Sequence, residues 1–224
     1  MNLNENQIQQ EKQVIYSPLR LVGILTLIVF CTLILVMATF TRIKLINCMQ
    51  VFEALRHTEF FPDTASVFQL KAYFYVPQVP VVLFTATLLG MVCGLTSVFL
   101  YIVMGLAIIP VFGLGGGFNY VLNQSFGYIL AFIPAVIVMS CFKDKSKSFK
   151  DLFLATVLSV LTIHIIGFLY MLLISLIKHE NFDYIADWFI FESLIKFVYD
   201  TAIGFFAVIF AKFCRKFIRI LTAR

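Results

Sequence analysis

Three charged side chains stand in a part of the sequence that is otherwise apolar. Glu192, Lys196 and Asp200 are spaced i, i+4 and i+8, so a helix brings them near one face. A charge inside a membrane-spanning helix is costly and faces the bundle interior, a charged partner or water. We therefore predict that Lys196 faces a cavity and binds an anionic group of a ligand, with Glu192 and Asp200 as supporting charges. Two alternatives are that Lys196 only neutralises these acids, or that Glu192 simply lies at the outer membrane interface.

A glycine cluster lies inside a long uncharged stretch. Val79 to Tyr128 contains no Asp, Glu, Lys, Arg or His, and four of its glycines lie close together: Gly113, Gly115, Gly116 and Gly117. Irregular backbone at membrane depth survives only where protein buries it or where it lines a cavity. Glycine also lets the backbone approach a ligand closely. The cluster therefore predicts a binding cavity around Phe112–Tyr128, and a flexible loop is the alternative.

Polar and aromatic side chains follow these glycines and offer hydrogen bonds and apolar walls to a small ligand. For each aromatic residue taken singly, packing in the core or at the interface is the alternative, because the chain has 26 Phe and 9 Tyr. The predicted ligand-binding set is Phe112, Gly115, Gly116, Gly117, Asn119, Tyr120, Asn123, Ser125, Tyr128, Trp188 and Lys196.

The sequence contains no recognisable catalytic or metal-binding constellation. H-E-x-x-H, G-x-S-x-G and Walker A motifs are absent, and the five cysteines are scattered without a C-x-x-C pair. An enzyme would need paired acids or a nucleophile with a base. His164 is interpreted as a packing residue, with a proton-transfer role as the alternative. We therefore expect a protein without catalytic residues, metal or cofactor.

Composition indicates an integral membrane protein. The chain is 61% hydrophobic and only 13% charged, with a mean hydropathy of +0.97, whereas about a quarter of a soluble domain is charged. The net charge of +5 comes from basic residues at helix ends, which membrane topology and anionic lipid explain without nucleic acid. We expect a multi-pass protein of the cytoplasmic membrane.

Hydropathy divides the chain into six predicted spans in a single transmembrane domain over residues 1–224. A polar tail occupies 1–16, the bundle 17–212, and a basic cytoplasmic tail 213–224. Val76–Ile109 predicts two helices of about 15 residues, shorter than the usual ~20, with a turn at Gly90 and Gly94. Pro110 ends the third helix, and Pro134 kinks the fourth. The other predicted spans are Leu19–Phe40, Ser125–Phe142, Asp151–Ile177 and Trp188–Phe210.

The connecting segments predict the orientation. Thr41–Tyr75 is a mixed loop with a short amphipathic helix at Val51–His57, ended by Pro62-Asp63; Lys143–Lys150 is a basic loop, and Lys178–Asp187 an acidic one. With both termini on one side, eleven lysines and arginines lie on that side and five on the other. The excess predicts that both termini are cytoplasmic and that the glycine loop opens outward.

The middle of the chain resembles the BioY family, the biotin-specific substrate-binding (S) subunits of energy-coupling factor (ECF) transporters. The resemblance rests on VPVVLFT at Val79–Thr85 and on YIVMGLAIIPVFGLGGGFNYVLNQSFGY at Tyr101–Tyr128. It covers about fifty residues. It also matches Lys196 to a lysine of the family's last helix, where Ser193 stands in place of a frequent Asp.

The resemblance implies an all-α, six-helix S-component bundle that captures biotin from outside. It further implies association with a transmembrane coupling subunit and two ATPase subunits, with membrane lipid around the bundle. Three alternatives stay open: an S subunit for another small vitamin or cofactor precursor, a membrane enzyme, and a structural membrane protein without ligand.

Overall fold

The computed structural model describes residues 18–46, 72–113, 115–143 and 148–222, and helices dominate these ranges. The predicted amphipathic helix at Val51–His57 and the Pro62-Asp63 stop lie outside them. The helices are α1 (Pro18–Phe40), α2 (Gln78–Leu89), α3 (Met91–Val103), α4 (Phe126–Leu130), α5 (Phe132–Lys143), α6 (Phe149–Ile177), α7 (Phe182–Trp188) and α8 (Lys196–Thr222).

Irregular helical turns connect several of these elements. A π-helix over Met104–Ile108 extends α3, and another over Phe189–Ile195 joins α7 to α8 without a break. A 3-10 helix, Phe118–Leu122, precedes α4. Two strands that the sequence analysis does not predict, β1 (Ile43–Ile46) and β2 (Ala72–Tyr75), pair antiparallel with Ile43 opposite Tyr75.

Six apolar helical segments run through the described residues, as the hydropathy predicts. Three are long enough to cross a membrane: Leu21–Phe40, Phe149–Ile177 and Phe182–Ile218. Three are shorter: Gln78–Leu89, Met91–Ala107 and Phe126–Phe142. The all-α, multi-pass membrane architecture is therefore confirmed, while the six-span count and the orientation stay predictions.

The turn between the two short helices lies at Gly90, as predicted. Gly90 has φ 85°, a left-handed conformation that a residue with a Cβ rarely adopts. Gly94 does not turn the chain, because it lies inside α3, where a Cβ would come within 3.1 Å of Val136 Cγ1. Gly90 therefore reverses the chain, and Gly94 lets α3 pack closely against α5.

Helical structure is interrupted near both Pro110 and Pro134, while the kink at Pro134 stays a prediction. The residue before Pro110, Ile109, is extended (φ −136°, ψ 138°), so the helical hydrogen bonding ends there. The fourth span divides at Ala131 into α4 and α5. The division lies one turn before Pro134, because proline has no N–H to donate to the carbonyl of Leu130.

The predicted boundaries of the last two spans need correction. α6 begins at Phe149 rather than Asp151, because Ser148 and Asp151 form a reciprocal capping box at its start. The acidic segment Lys178–Asp187 is not a loop throughout, since α7 begins at Phe182. Ile185 and Trp188 of α7 pack against the hydrophobic core. The helix is therefore amphipathic, and the acidic residues on its other face make the segment look like a loop when only composition is considered.

The last helix also extends further than predicted. α8 ends at Thr222, well past Phe210, and residues 213–222 of the predicted basic tail continue it. No glycine or proline follows Phe210 to stop it. α8 packs along α2 and α6, α5 along α6, and α1 along α3, which surrounds a core of aliphatic and aromatic side chains.

Candidate functional site

A cavity of about 290 Å³ opens where the β1–β2 hairpin, the start of α2 and the last helix meet the segment around α4. This volume is near the lower end of the ~300–1,000 Å³ that small-molecule sites usually have. The lining residues are Thr39, Arg42, Phe74, Val76, Gln78, Gly113, Tyr120, Ser125, Tyr128, Ile129, Trp188, Glu192 and Lys196. The structure thus brings six of the predicted residues together with seven that are not in the predicted set of ligand-binding and supporting residues.

The cavity carries two cations and one carboxylate among its lining residues: Arg42, Lys196 and Glu192. Lys196 Nζ lies 3.4 Å from Glu192 Oε2, and the lysine side chain is only 13% exposed against 42% for the glutamate. Such a pair leaves Lys196 able to contact a ligand from a largely buried position. The excess of one positive charge favours an anionic ligand.

Ser125 is fixed at the cavity wall by its neighbours. Asn123 Oδ1 accepts hydrogen bonds from the Ser125 backbone N–H (3.0 Å) and hydroxyl (2.7 Å), which closes an Asx turn. Tyr120 Oη lies 3.0 Å from Ser125 Oγ. Asn123 therefore positions Ser125, while Tyr120 and Ser125 line the cavity themselves.

Tyr128 and Trp188 form an aromatic wall. Tyr128 Oη lies 2.6 Å from Ser193 Oγ, in the π-helix that precedes α8. The ring of Tyr128 also packs on Gly167 so closely that a Cβ there would meet it at 2.4 Å. The indole N–H of Trp188 is buried and makes no hydrogen bond to the described residues. The nitrogen has no exposed surface and lies beside the Tyr128 hydroxyl, so it becomes a donor to a ligand only if the wall around it shifts.

The opposite wall rests on a polar cluster that sequence reasoning missed. Gln78 Nε2 donates to Thr39 Oγ1 at 2.8 Å and to Tyr101 Oη at 3.1 Å, and Thr39 Oγ1 lies 2.9 Å from Tyr101 Oη. Gln78 stands just before the VPVVLFT stretch, and Arg42 is the first charge after the first span. These placements are the only sequence features that could have indicated them.

Most of the glycine cluster packs against protein and does not line the cavity. Phe112 and Gly115 exchange two backbone hydrogen bonds of 2.9 and 3.0 Å, and Gly117 N–H donates to the Gly105 carbonyl at 2.8 Å. A Cβ on Gly116 would lie 2.5 Å from Pro110 Cα. Six predicted ligand contacts therefore lie off the cavity wall: Phe112, Gly115, Gly116, Gly117, Asn119 and Asn123.

Phe112 is buried and Asn119 is exposed. The Phe112 ring packs against the rings of Tyr101, Tyr120 and Phe126 at centroid distances of 5.5, 4.7 and 6.1 Å. It also fills the space beside Gly105, where a Cβ would meet it at 2.1 Å. Phe112 thus supports the cavity residue Tyr120 from behind.

Asp200, predicted as a supporting charge, lies away from the cavity wall and is completely buried. Tyr75 Oη donates to its Oδ1 at 2.6 Å, and His164 Nε2 lies 3.2 Å from its Oδ2. His164 also packs edge-on against Tyr128 and Phe197, at ring distances of 6.0 and 5.6 Å. Across the described residues, no group of three His, Cys, Asp or Glu side chains could hold a metal ion.

Comparison with known proteins agrees with this architecture. The sequence model of the BioY family matches residues 66–215. A probable biotin transporter BioY of Lysinibacillus sphaericus is 33% identical over 96 residues, which are 42% of this chain and 49% of that protein. A probable biotin transporter BioY of Pyrococcus horikoshii is 30% identical over 95 residues, 42% of this chain and 56% of that protein. These matches span about half the length of the two relatives.

A solved structure has the same fold. The crystal structure of the S-component for biotin from an ECF-type ABC transporter aligns with a TM-score of 0.65 at 19% identity, over 89% of this chain and 94% of the other. The family match covers both short helices, the glycine loop and the last three spans, including every cavity residue except Thr39 and Arg42. The chain belongs to the BioY family.

Proposed function

We propose that this protein is the biotin-binding S subunit of an ECF-type transporter in the cytoplasmic membrane. The observation that carries the proposal is the cavity, in which Lys196 and Arg42 outnumber Glu192 beside aromatic walls. Family membership and the S-component fold support the same conclusion. Six spans, both termini in the cytoplasm and a cavity open to the outside complete the proposed arrangement.

Biotin matches the chemistry of the cavity walls. Its valerate carboxylate needs a cation, and its cyclic urea offers two N–H donors and one carbonyl acceptor. We assign the carboxylate to Lys196 and Arg42, a urea N–H to Glu192 and, once the wall around it shifts, the urea carbonyl to the Trp188 indole N–H. The rings of Phe74 and Tyr128 supply apolar contact for the bicyclic body.

The proposed activity is binding and uptake without covalent chemistry, metal or cofactor. Energy for transport would come from two ATPase subunits through a transmembrane coupling subunit, since the sequence has no Walker A motif. Those subunits are proposed partners, with the surrounding lipid. The most direct test of the uptake step is cellular biotin accumulation by this chain, expressed with and without a coupling subunit and its ATPases.

Binding itself can be tested on purified protein because Trp188 is the only tryptophan of the chain. A titration with biotin should change its emission and saturate at submicromolar concentration, in agreement with equilibrium binding of labelled biotin. Lipoate keeps the carboxylate tail but lacks the urea, and biotinamide keeps the urea but lacks the anion. Each should bind more weakly than biotin. Titrations with riboflavin and thiamine test whether the cavity binds another vitamin instead.

The outcomes separate the proposal from its alternatives. Saturable binding of riboflavin or thiamine with none of biotin would assign the cavity to another vitamin. Absence of binding by all of these compounds would contradict an S-subunit function. Biotinamide and biotin of equal affinity would show that the cations do not recognise the carboxylate.

A further inference from the structure

We propose that Asp200 is a positioning residue, whose buried carboxylate holds the hairpin wall of the cavity in place. The inference rests on the proposed function, since it concerns the affinity of the same cavity. Asp200 has no exposed surface and lies behind the cavity, so its role is exerted through the residues that it binds.

The first link is the hydrogen bond from Tyr75. Tyr75 is the last residue of β2 and is completely buried, and its hydroxyl donates to Asp200 Oδ1 at 2.6 Å across 125 residues of sequence. An O–H···O distance of 2.6 Å lies at the short end of the range for such bonds. The hydrogen bond therefore fixes the end of β2 against the beginning of α8.

The second link is the alternation of the strand. Successive side chains of a strand point to opposite faces, so the inward direction of Tyr75 sends its neighbours the other way. Those neighbours, Phe74 and Val76, both line the cavity. Because Ile43 of β1 pairs with Tyr75, the same anchor also locates Arg42, which precedes β1 and lines the cavity.

The third link connects the opposite wall. Asp200 Oδ2 lies 3.2 Å from His164 Nε2 on α6, and the His164 ring packs edge-on against Tyr128 of α4. Tyr128 lines the cavity and is bonded to Ser193. One carboxylate thus joins the hairpin, α6 and α8, and it reaches both the Phe74 and the Tyr128 walls.

The structure therefore predicts that Tyr75→Phe weakens biotin binding without removing any group that contacts the ligand. We expect the dissociation constant to rise about tenfold, mainly because dissociation is faster. In the ligand-free protein, iodide should quench Trp188 emission more strongly, because a loosened hairpin admits water to the cavity. Tyr170→Phe is the matched control, since it removes a hydroxyl that donates to the Val121 carbonyl away from the cavity.

Asp200→Asn provides the second arm. Asparagine keeps an oxygen acceptor for Tyr75 but replaces the other carboxylate oxygen by an amide NH2 group, so a smaller loss of affinity is expected, about threefold. In the double variant the two losses should combine to less than their product, because the Tyr75–Asp200 hydrogen bond that both substitutions alter can be lost only once. If Tyr75→Phe fails to fold, Asp200→Asn decides alone: a weakened affinity with increased iodide quenching supports the proposal, and wild-type values for both overturn it.

The measurements also separate this inference from the proposed function. Wild-type affinity in Tyr75→Phe, or losses that multiply in the double variant, would overturn the positioning role. A lower melting temperature with unchanged affinity and quenching would show that the Tyr75–Asp200 hydrogen bond only stabilises the fold, and it would also overturn the positioning role. If wild-type protein does not bind biotin, the proposed function fails. Iodide quenching of ligand-free Tyr75→Phe then still decides whether Asp200 holds the wall.

Discussion

The glycine loop and the last helix both combine features that suggest a binding site, yet the structure uses them differently. The loop packs Gly116 against Gly105 and Pro110 and ties Gly115 and Gly117 down through backbone hydrogen bonds, and of its described glycines only Gly113 lines the cavity. The continuous helical segment from α7 to α8, which forms the last span, places Trp188, Glu192 and Lys196 on the cavity wall. Glycine permits close approach to any neighbour, including the protein itself, whereas a charge at membrane depth needs water, a partner or a ligand. The charged helix is therefore the more specific indicator of a site.

Among substitutions in the glycine loop, Gly116→Ala should cause the largest loss of stability. A Cβ at this position would lie 2.5 Å from Pro110 Cα and 2.6 Å from the Gly105 carbonyl oxygen, and backbone atoms cannot move aside as a flexible side chain does. We expect a loss of about 3 kcal/mol in the free energy of unfolding, at the upper end of overpacking effects. The measurement is the melting temperature of the purified protein.

Gly23→Ala is the control for that substitution. It lies on the exposed side of α1, and a Cβ there meets nothing within 4 Å. Its melting temperature should equal or exceed that of the wild type, because alanine favours a helix more than glycine does. If the Gly116→Ala protein melts at the wild-type temperature, the loop is loosely packed, and the glycine cluster is better described as a flexible loop.

Lys196→Ala should produce the largest effect on the helix side. The lysine is 13% exposed, so its interaction with a ligand carboxylate is only weakly screened by water. We expect the biotin dissociation constant to rise about 100-fold, which corresponds to about 2.7 kcal/mol, while the melting temperature stays close to that of the wild type. Lys150→Ala, an exposed lysine at the start of α6, is the control and should bind normally. An unchanged affinity in Lys196→Ala would leave the lysine as a partner of Glu192 only.

The same contrast explains what could be predicted from the sequence. Long apolar runs identify helices because only regular hydrogen bonding satisfies the backbone in lipid. Charges at i, i+4 and i+8 identify the helix that lines the cavity, because burying a charged side chain in a membrane span is costly. The residues that bind those charges cannot be predicted in the same way. Asp200 binds Tyr75, which is 125 residues away in sequence, and no local pattern marks that contact.

The cavity residues that the sequence analysis does not predict are also the residues that no local sequence pattern marks. Arg42, Phe74 and Gln78 reach the cavity because tertiary contacts bring β2 and α2 to α8, whose first residue, Lys196, lines the cavity. Asn123 illustrates the reverse error, since it has the residue type of a ligand contact but closes a turn for Ser125. Residue type indicates what a side chain can bind, and only the fold decides which neighbour it binds.

Glu192→Gln should have a smaller effect, and its direction separates two roles of the carboxylate. Glutamine keeps the size and one acceptor oxygen but removes the charge. If Glu192 accepts a urea N–H, the biotin dissociation constant should rise about fivefold, because a charged acceptor is about twice as strong as a neutral one. Lipoate has no urea, so its affinity should not fall. If Glu192 only neutralises Lys196, from which it lies 3.4 Å away, its loss should tighten the binding of both anions. Titrations of the two ligands against Glu192→Gln, with exposed Glu180→Gln as the control, distinguish these results. Tighter biotin binding would remove Glu192 from the recognition of the urea and leave the two cations as the only charged groups of the cavity wall that contact the ligand.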